Sequence, residues 1–257
     1  MKFSICLDAV FEKYDFIESM KSVKKLGLDT IEFWGWWDKS LDDIKTNKDE
    51  LGLKIATFCT KFISLTDETQ HFEYLEGLKA SIKIAKDLDC HILISQVGDD
   101  TGKSRQIQHE NIVNGLKMCV EVLEEADVTL VIEPLNTYVD HKGYYLSSSS
   151  EAFDLIKEVR SDKVKVLYDV YHQSVTMRND PSEKDIISTI TENIDLIGHF
   201  HVAGCPGRGE IYTGDVDYFE IFKAIDATNY NGAIGLEYFP LEDPVVGLES
   251  VMRSTVE

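Results

Sequence analysis

At 257 residues the chain is long for one average domain but close to the usual length of an eight-fold α/β barrel, and 43% apolar with 28% charged residues is ordinary for a folded globular protein. Its formal charge of −20, from 46 acidic against 26 basic residues, argues against nucleic acid as a partner, because neutralising phosphates takes clusters of Lys and Arg. The five cysteines are odd in number and scattered with no C-x-x-C pair, which argues against a disulfide framework or a structural zinc site. No leader-like apolar run and no stretch of ~20 apolar residues is present, so a cytoplasmic protein with no membrane partner is expected.

Along the chain, short β-like runs alternate with helical patterns. Strands are predicted at 3–7, 30–36, 54–60, 91–97, 129–135, 164–170, 197–203 and 233–239. Several are nearly continuous apolar runs, as expected of parallel strands covered on their outer face. Between the third and fourth, Phe72, Leu75, Leu78, Ile82 and Ala85 recur at steps of three and four, which makes one apolar helix stripe. Ile112, Leu116, Cys119, Val120 and Leu123 do the same in the next helix. Ser148 followed three residues later by Glu151 is a capping-box signal ahead of Phe153, Ile156 and Val159. A repeated βα unit can close into a barrel or wind into an open sheet. No G-x-G-x-x-G follows the first strand, and polar residues gather at the C-terminal ends of several strands, where barrel enzymes keep their sites. The expected architecture is a (β/α)8 TIM barrel, one domain over 1–257.

In the second half each strand ends on a residue able to bind a metal: Glu133 in Leu130-Val-Ile-Glu-Pro-Leu-Asn136, Asp169 in Val166-Leu-Tyr-Asp-Val-Tyr-His172, His201 in Ile197-Gly-His-Phe-His-Val-Ala203, and Glu237 in Ile234-Gly-Leu-Glu-Tyr-Phe239. A carboxylate inside such an apolar run is costly unless paired or metal-bound. Four adjacent strands each bearing one such group converge on a point. Three carboxylates and an imidazole suit one hard or borderline divalent ion, Mg²⁺ or Mn²⁺ rather than a thiolate-loving metal. His199 and His201 share a face because strand side chains alternate. Only the one nearer the C-terminal end is expected to reach the ion, so His199 is placed in the layer below.

These same segments, with Asp140-His-Lys-Gly-Tyr-Tyr-Leu146, Pro206-Gly-Arg-Gly-Glu210 and Phe33-Trp-Gly-Trp-Trp37, resemble the hydroxypyruvate isomerase family over essentially the whole chain. That family sits in the xylose-isomerase-like TIM barrel superfamily, beside ketose 3-epimerases and apurinic-site endonucleases. The resemblance implies that Glu133, Asp169, His201 and Glu237 are metal ligands, that Glu133 and Glu237 form the acid/base pair, and that Asn136, His172 and Arg208 contact substrate. Isomerases that resemble this chain often carry Gln where His201 stands. Members also commonly read Gly-Arg-His-Glu-Pro-Gly-Thr-Gly-Glu where this chain has Gly207-Arg-Gly-Glu-Ile-Tyr-Thr-Gly-Asp215, and Met-Gln where it has Gln173-Ser174.

The implied reaction is an aldose–ketose type isomerisation through an enediolate, interconverting hydroxypyruvate and tartronate semialdehyde or a closely related small hydroxy-carbonyl compound. The alternative is a ketose 3-epimerase or a related sugar isomerase or dehydratase using the same metal site. The epimerases that resemble this chain tend to carry a further Glu after the Asn136 position, where this chain offers Asp140. Arg208 is suited to bidentate pairing with a substrate carboxylate, on a loop whose Gly204, Gly207, Gly209 and Gly214 supply the freedom of a lid. Trp36, Trp37 and Lys61 are left between pocket walls and packing. An apurinic-site phosphodiesterase is rejected on charge and histidine count. The partner is a small molecule, and the sequence is compatible with a homo-oligomer without deciding it.

Overall fold

The computed structural model describes residues 1–254. Eight parallel strands, β1 (Lys2–Cys6), β2 (Thr30–Phe33), β3 (Lys54–Cys59), β4 (Ile92–Ser95), β5 (Thr129–Ile132), β6 (Val164–Asp169), β7 (Ile197–Val202) and β8 (Ala233–Leu236), follow one another in sequence order and close, β8 on β1, into a barrel. The helices around it are α1 (Leu7–Val10), α2 (Phe16–Lys25), α3 (Leu41–Leu51), α4 (His71–Leu88), α5 (Arg105–Ala126), α6 (Ser149–Val159), α7 (Val170–Asn179), α8 (Ile186–Asn193), α9 (Tyr218–Asp226) and α10 (Pro244–Ser254). The chain is a single-domain TIM barrel. Among the described residues no helix is long and apolar enough to cross a membrane.

All eight strands fall within the predicted runs or one residue outside them, and all eight stop one to three residues before the predicted end. The apolar pattern continues past the ladder because the chain remains buried at the barrel mouth after it stops pairing with its neighbour. Pro134, which has no N–H to donate, follows Glu133 just beyond β5.

Two apolar clusters fill the molecule. The large one lies between strands and helices, where α4 contributes Tyr74, Leu78, Ile82, Ala85 and Leu88. Phe72, assigned to that stripe from its spacing, is instead 77% exposed. It stands at the first turn of α4, where His71 and Tyr74 take the buried face and Phe72 lies off it. On α5, Ile112, Leu116, Cys119 and Leu123 are buried as the spacing predicts. The small cluster, Cys59, Ile94, Val131 and Leu167, comes from β3 to β6 and packs inside the barrel. Register sets this layer, since Cys59 pairs with Ile94, Ile94 with Val131, and Leu167 with His199.

The capping signal is half realised. Ser148 Oγ accepts the Glu151 N–H at 3.3 Å and so caps α6, but the Glu151 carboxylate accepts from Tyr145 Oη at 2.9 Å and pairs with Arg105 instead of returning to Ser148. Ser148→Ala is expected to cost about 1 kcal/mol of stability, read from urea unfolding, with no change in catalysis. A loss near zero would mean that the α6 terminus is held by its packing alone.

Candidate active site

Strand periodicity builds the site in two layers. Glu32, Val131, Leu167, His199 and Gly235 occupy the inner face of β2, β5, β6, β7 and β8, and two residues further along each chain stand Trp34, Glu133, Asp169, His201 and Glu237. The upper layer brings the four candidate ligands together. One donor atom each from Glu133, Asp169, His201 and Glu237 lies within 4.8 Å of the others, and all four residues are buried. His201 Nδ1 stands 3.7 Å from Glu133 Oε1 and 3.5 Å from Glu237 Oε2, with no hydrogen-bond partner of its own. An orphaned imidazole nitrogen among three buried carboxylates fits a hard or borderline divalent cation.

Each carboxylate is held in place by neighbouring donors. Asp169 ends β6 and at once caps α7, its Oδ1 accepting the His172 N–H at 3.0 Å. Glu237 accepts Trp34 Nε1–H on Oε1 at 2.7 Å and Arg208 on Oε2 at 2.5 Å. Gln96 Nε2 reaches Glu133 Oε2 at 3.5 Å. Below them Glu32 accepts Ser4 Oγ at 2.7 Å and His199 Nε2 at 2.9 Å on its Oε2, while its Oε1 lies 2.9 Å from His201 Nε2.

The electrostatics show crowded negative charge held by two cations. Burial pushes the Asp169 carboxyl up to about 7, with Arg208 opposing and Glu237 and Glu133 adding to the rise. Burial would also raise Glu237, but His201 and Arg208 outweigh it and hold it well below the usual carboxylate range. Burial works against a charged His201, yet Glu237 and Glu32 raise it well above an ordinary histidine. Short of a metal ion, a proton on His201 and the Arg208 guanidinium offset only part of this negative charge.

The cavity above the cluster is about 630 Å³ and is lined by Glu133, Glu237, His172 and Arg208, with Trp34, Gln96, Asp99, Ser64 and Phe62 among the other walls. His172 meets it with a defined tautomer. Its Nδ1 accepts the Asn136 backbone N–H at 3.2 Å and faces Asn136 Nδ2 at 2.7 Å, so Nε2 carries the hydrogen. That Nε2 is buried without a partner, and burial reinforced by Arg208 keeps the ring neutral, with its pKa well below the usual value.

Asn136 sits beneath His172 rather than in the cavity wall. Its Oδ1 accepts the Val139 and Asp140 N–H groups and its Nδ2 donates to Asp140 at 2.7 Å. Its side chain is committed to shaping this turn.

Arg208 is no solvated loop residue. Its side chain is 12% exposed, wedged between the rings of Tyr171 and Phe239, and its backbone adopts the left-handed φ of 56°. Two of the glycines around it, Gly204 and Gly214, serve close approach. A Cβ at Gly204 would lie 2.4 Å from Glu210 O, and one at Gly214, with φ of 88°, 2.2 Å from Cys205 O. The loop is tied back by Asp215 N to Cys205 O at 2.9 Å and by the buried Glu210 carboxylate, which accepts the Leu241 N–H at 3.2 Å.

Trp36 lies outside the cavity, its Nε1 donating to Ser81 Oγ at 3.1 Å with Lys61 over its ring, and Trp37 packs edge-on between Trp36 and Phe62. The tryptophan at the site is Trp34. Both it and Glu32 carry a signal in the sequence. Glu32 is a carboxylate inside Thr30-Ile-Glu-Phe-Trp34, the pattern that singled out Glu133, and Trp34 follows it on the same face.

The profile of the xylose isomerase-like TIM barrel family matches residues 20–254. Hydroxypyruvate isomerase of Escherichia coli K12 is 30% identical, over 96% of this chain and 97% of its own. A 2-oxo-tetronate isomerase of Cupriavidus necator is 24% identical, over 96% of each. Two solved structures share the fold. An AP endonuclease, family 2, from Brucella melitensis has a TM-score of 0.91 at 23% identity, covering 98% of each chain. D-psicose 3-epimerase from Clostridium cellulolyticum H10 has 0.83 at 19%, covering 100% of this chain and 98% of its own. The chain belongs to the xylose isomerase-like TIM barrel family and, within it, to the hydroxypyruvate isomerase group, and it is an enzyme of isomerase type.

Proposed function

We propose that the protein is a divalent-metal-dependent isomerase that interconverts hydroxypyruvate and tartronate semialdehyde through an enediolate. The observation that carries this reading is the pair Glu133 and Glu237, the outer members of a buried four-residue cluster, both opening on one cavity that Arg208 also lines. A Mg²⁺ or Mn²⁺ ion held by Glu133, Asp169, His201 and Glu237 would supply Lewis-acid polarisation of the substrate's carbonyl and neighbouring hydroxyl oxygens. One glutamate removes the proton from the carbon beside the carbonyl and a proton is returned at the adjacent carbon, which requires the two to differ in protonation. Their surroundings do differ. Glu237 is held by Trp34 and Arg208, whereas Glu133 has the longer contact to Gln96. His172, a neutral ring in the cavity lining whose Nε2–H has no hydrogen-bond partner, donates to a substrate oxygen. Arg208 exchanges part of its bond to Glu237 for the substrate carboxylate.

The test is turnover of hydroxypyruvate, tartronate semialdehyde and a panel of ketohexoses by protein loaded with Mn²⁺ or Mg²⁺. Preferential conversion of hydroxypyruvate is expected. One observation favours a second reading, a ketose 3-epimerase: a cavity of about 630 Å³ is generous for a three-carbon acid, and Ser64, Gln70, Gln96 and Asp99 offer polar contacts to a longer chain. Arg208→Met separates the two. It removes a charge-assisted pair worth about 1.5–3 kcal/mol, roughly tenfold to a hundredfold in kcat/KM for hydroxypyruvate. A neutral ketose loses only what Arg208 does for Glu237. Unchanged hydroxypyruvate kinetics, with a ketose the better substrate, would replace the first reading by the second.

A further inference from the structure

We infer that Glu32 is a positioning residue that fixes the His201 imidazole so that Nδ1, and not Nε2, is the nitrogen offered to the cation. This rests on the metal site proposed above and extends it to a strand outside the four that bear the ligands. Glu32 lies on β2, in the layer below, and is buried with Ser4 and His199. A charge in the barrel interior is costly unless its oxygens are satisfied. Here Ser4 Oγ and His199 Nε2 both fall on Oε2, at 2.7 and 2.9 Å. Oε1 is left to His201 Nε2, an ion-pair contact of 2.9 Å, and neither of these two atoms has a hydrogen-bond partner.

The barrel is shaped to allow this reach. Gly235 pairs in register with both Ser4 and His201, so it stands between β1 and β7 at the level where the Glu32 carboxylate crosses. A Cβ at Gly235 would lie 2.4 Å from Glu32 Oε1 and 2.6 Å from His201 Cδ2. The missing side chain on β8 is what lets a carboxylate from β2 meet a histidine on β7. With Nε2 turned to Glu32, Nδ1 faces Glu133 and Glu237. A carboxylate behind a metal-binding histidine fixes its tautomer and ring orientation and raises its basicity, and losing such a partner typically weakens metal affinity 10- to 100-fold.

The experiment is Mn²⁺ titration of the metal-free protein by calorimetry. Glu32→Gln, which keeps the shape and removes the charge, should bind Mn²⁺ about 10- to 100-fold more weakly than the wild type while retaining its far-UV circular dichroism. In a His201→Ala background the same change should leave the affinity where His201→Ala alone puts it, since Glu32 acts through that ring. A merely structural role would lower the melting temperature without this coupling. Should Glu32→Gln not fold, Ser4→Ala removes one hydrogen bond to the same carboxylate and is expected to weaken Mn²⁺ severalfold. Wild-type Mn²⁺ affinity in the folded variant, or an undiminished effect without His201, overturns the inference and leaves the metal site standing. A wild-type protein that takes up no Mn²⁺ overturns the metal site and this role with it.

Discussion

Glu237→Gln and Glu133→Gln are each expected to lower turnover by ~10²-fold or more while leaving the fold intact, because positioned proton transfer typically contributes 10²–10⁴-fold. The amide keeps the volume of the carboxyl group, and at Glu237 its oxygen can still accept the Trp34 indole N–H. What is lost is the capacity to take and return a proton, together with the charge that faces His201 and Arg208. Both residues are also proposed ligands, so metal content has to be measured in each variant by elemental analysis. Full occupancy with a near-normal rate in either one removes that residue from the proton transfers. A variant that has lost the ion and regains its rate at high Mn²⁺ would assign that glutamate to metal binding alone.

Chelation is expected to abolish turnover, and Mn²⁺ or Mg²⁺ to restore it. The reasoning is electrostatic. Glu133, Asp169 and Glu237 converge in a buried volume where His201 and Arg208 are the cations they face, and burial already pushes Asp169 up to about 7. A carboxyl group that protonates so readily is poorly compensated, and a divalent ion would supply the charge. Without one, the substrate's carbonyl meets neutral His172 and Arg208 but no strong Lewis acid. Undiminished turnover in protein shown to be metal-free would end the metal proposal and shift the reaction to the glutamates, His172 and Arg208 acting alone.

The sequence by itself determined the barrel and its four-residue cluster, because both depend on local periodicity. Strands buried on both faces read as apolar runs, and a carboxylate or histidine at the end of each of four successive runs stands out against that background whatever the side chains around it do. The period of two also placed His199 below His201, and the structure finds it there, bonded to Glu32. Three things were decided only by the tertiary structure. The first is where each strand ends, since pairing depends on the neighbouring strand and the apolar run does not stop with it. The second is what the glycines do: Gly204, Gly214 and Gly235 are needed for contacts with backbone or side chains, two of them across the barrel loop and one with Glu32 and His201 from other strands. The third is the split of labour around the cluster, where Asn136 shapes the turn behind His172 and Trp34, not Trp36 or Trp37, touches Glu237. The Trp34 contact comes from closing β8 onto β1, which sets residues some 200 positions apart within one hydrogen bond. Contacts of that kind leave no period in the sequence.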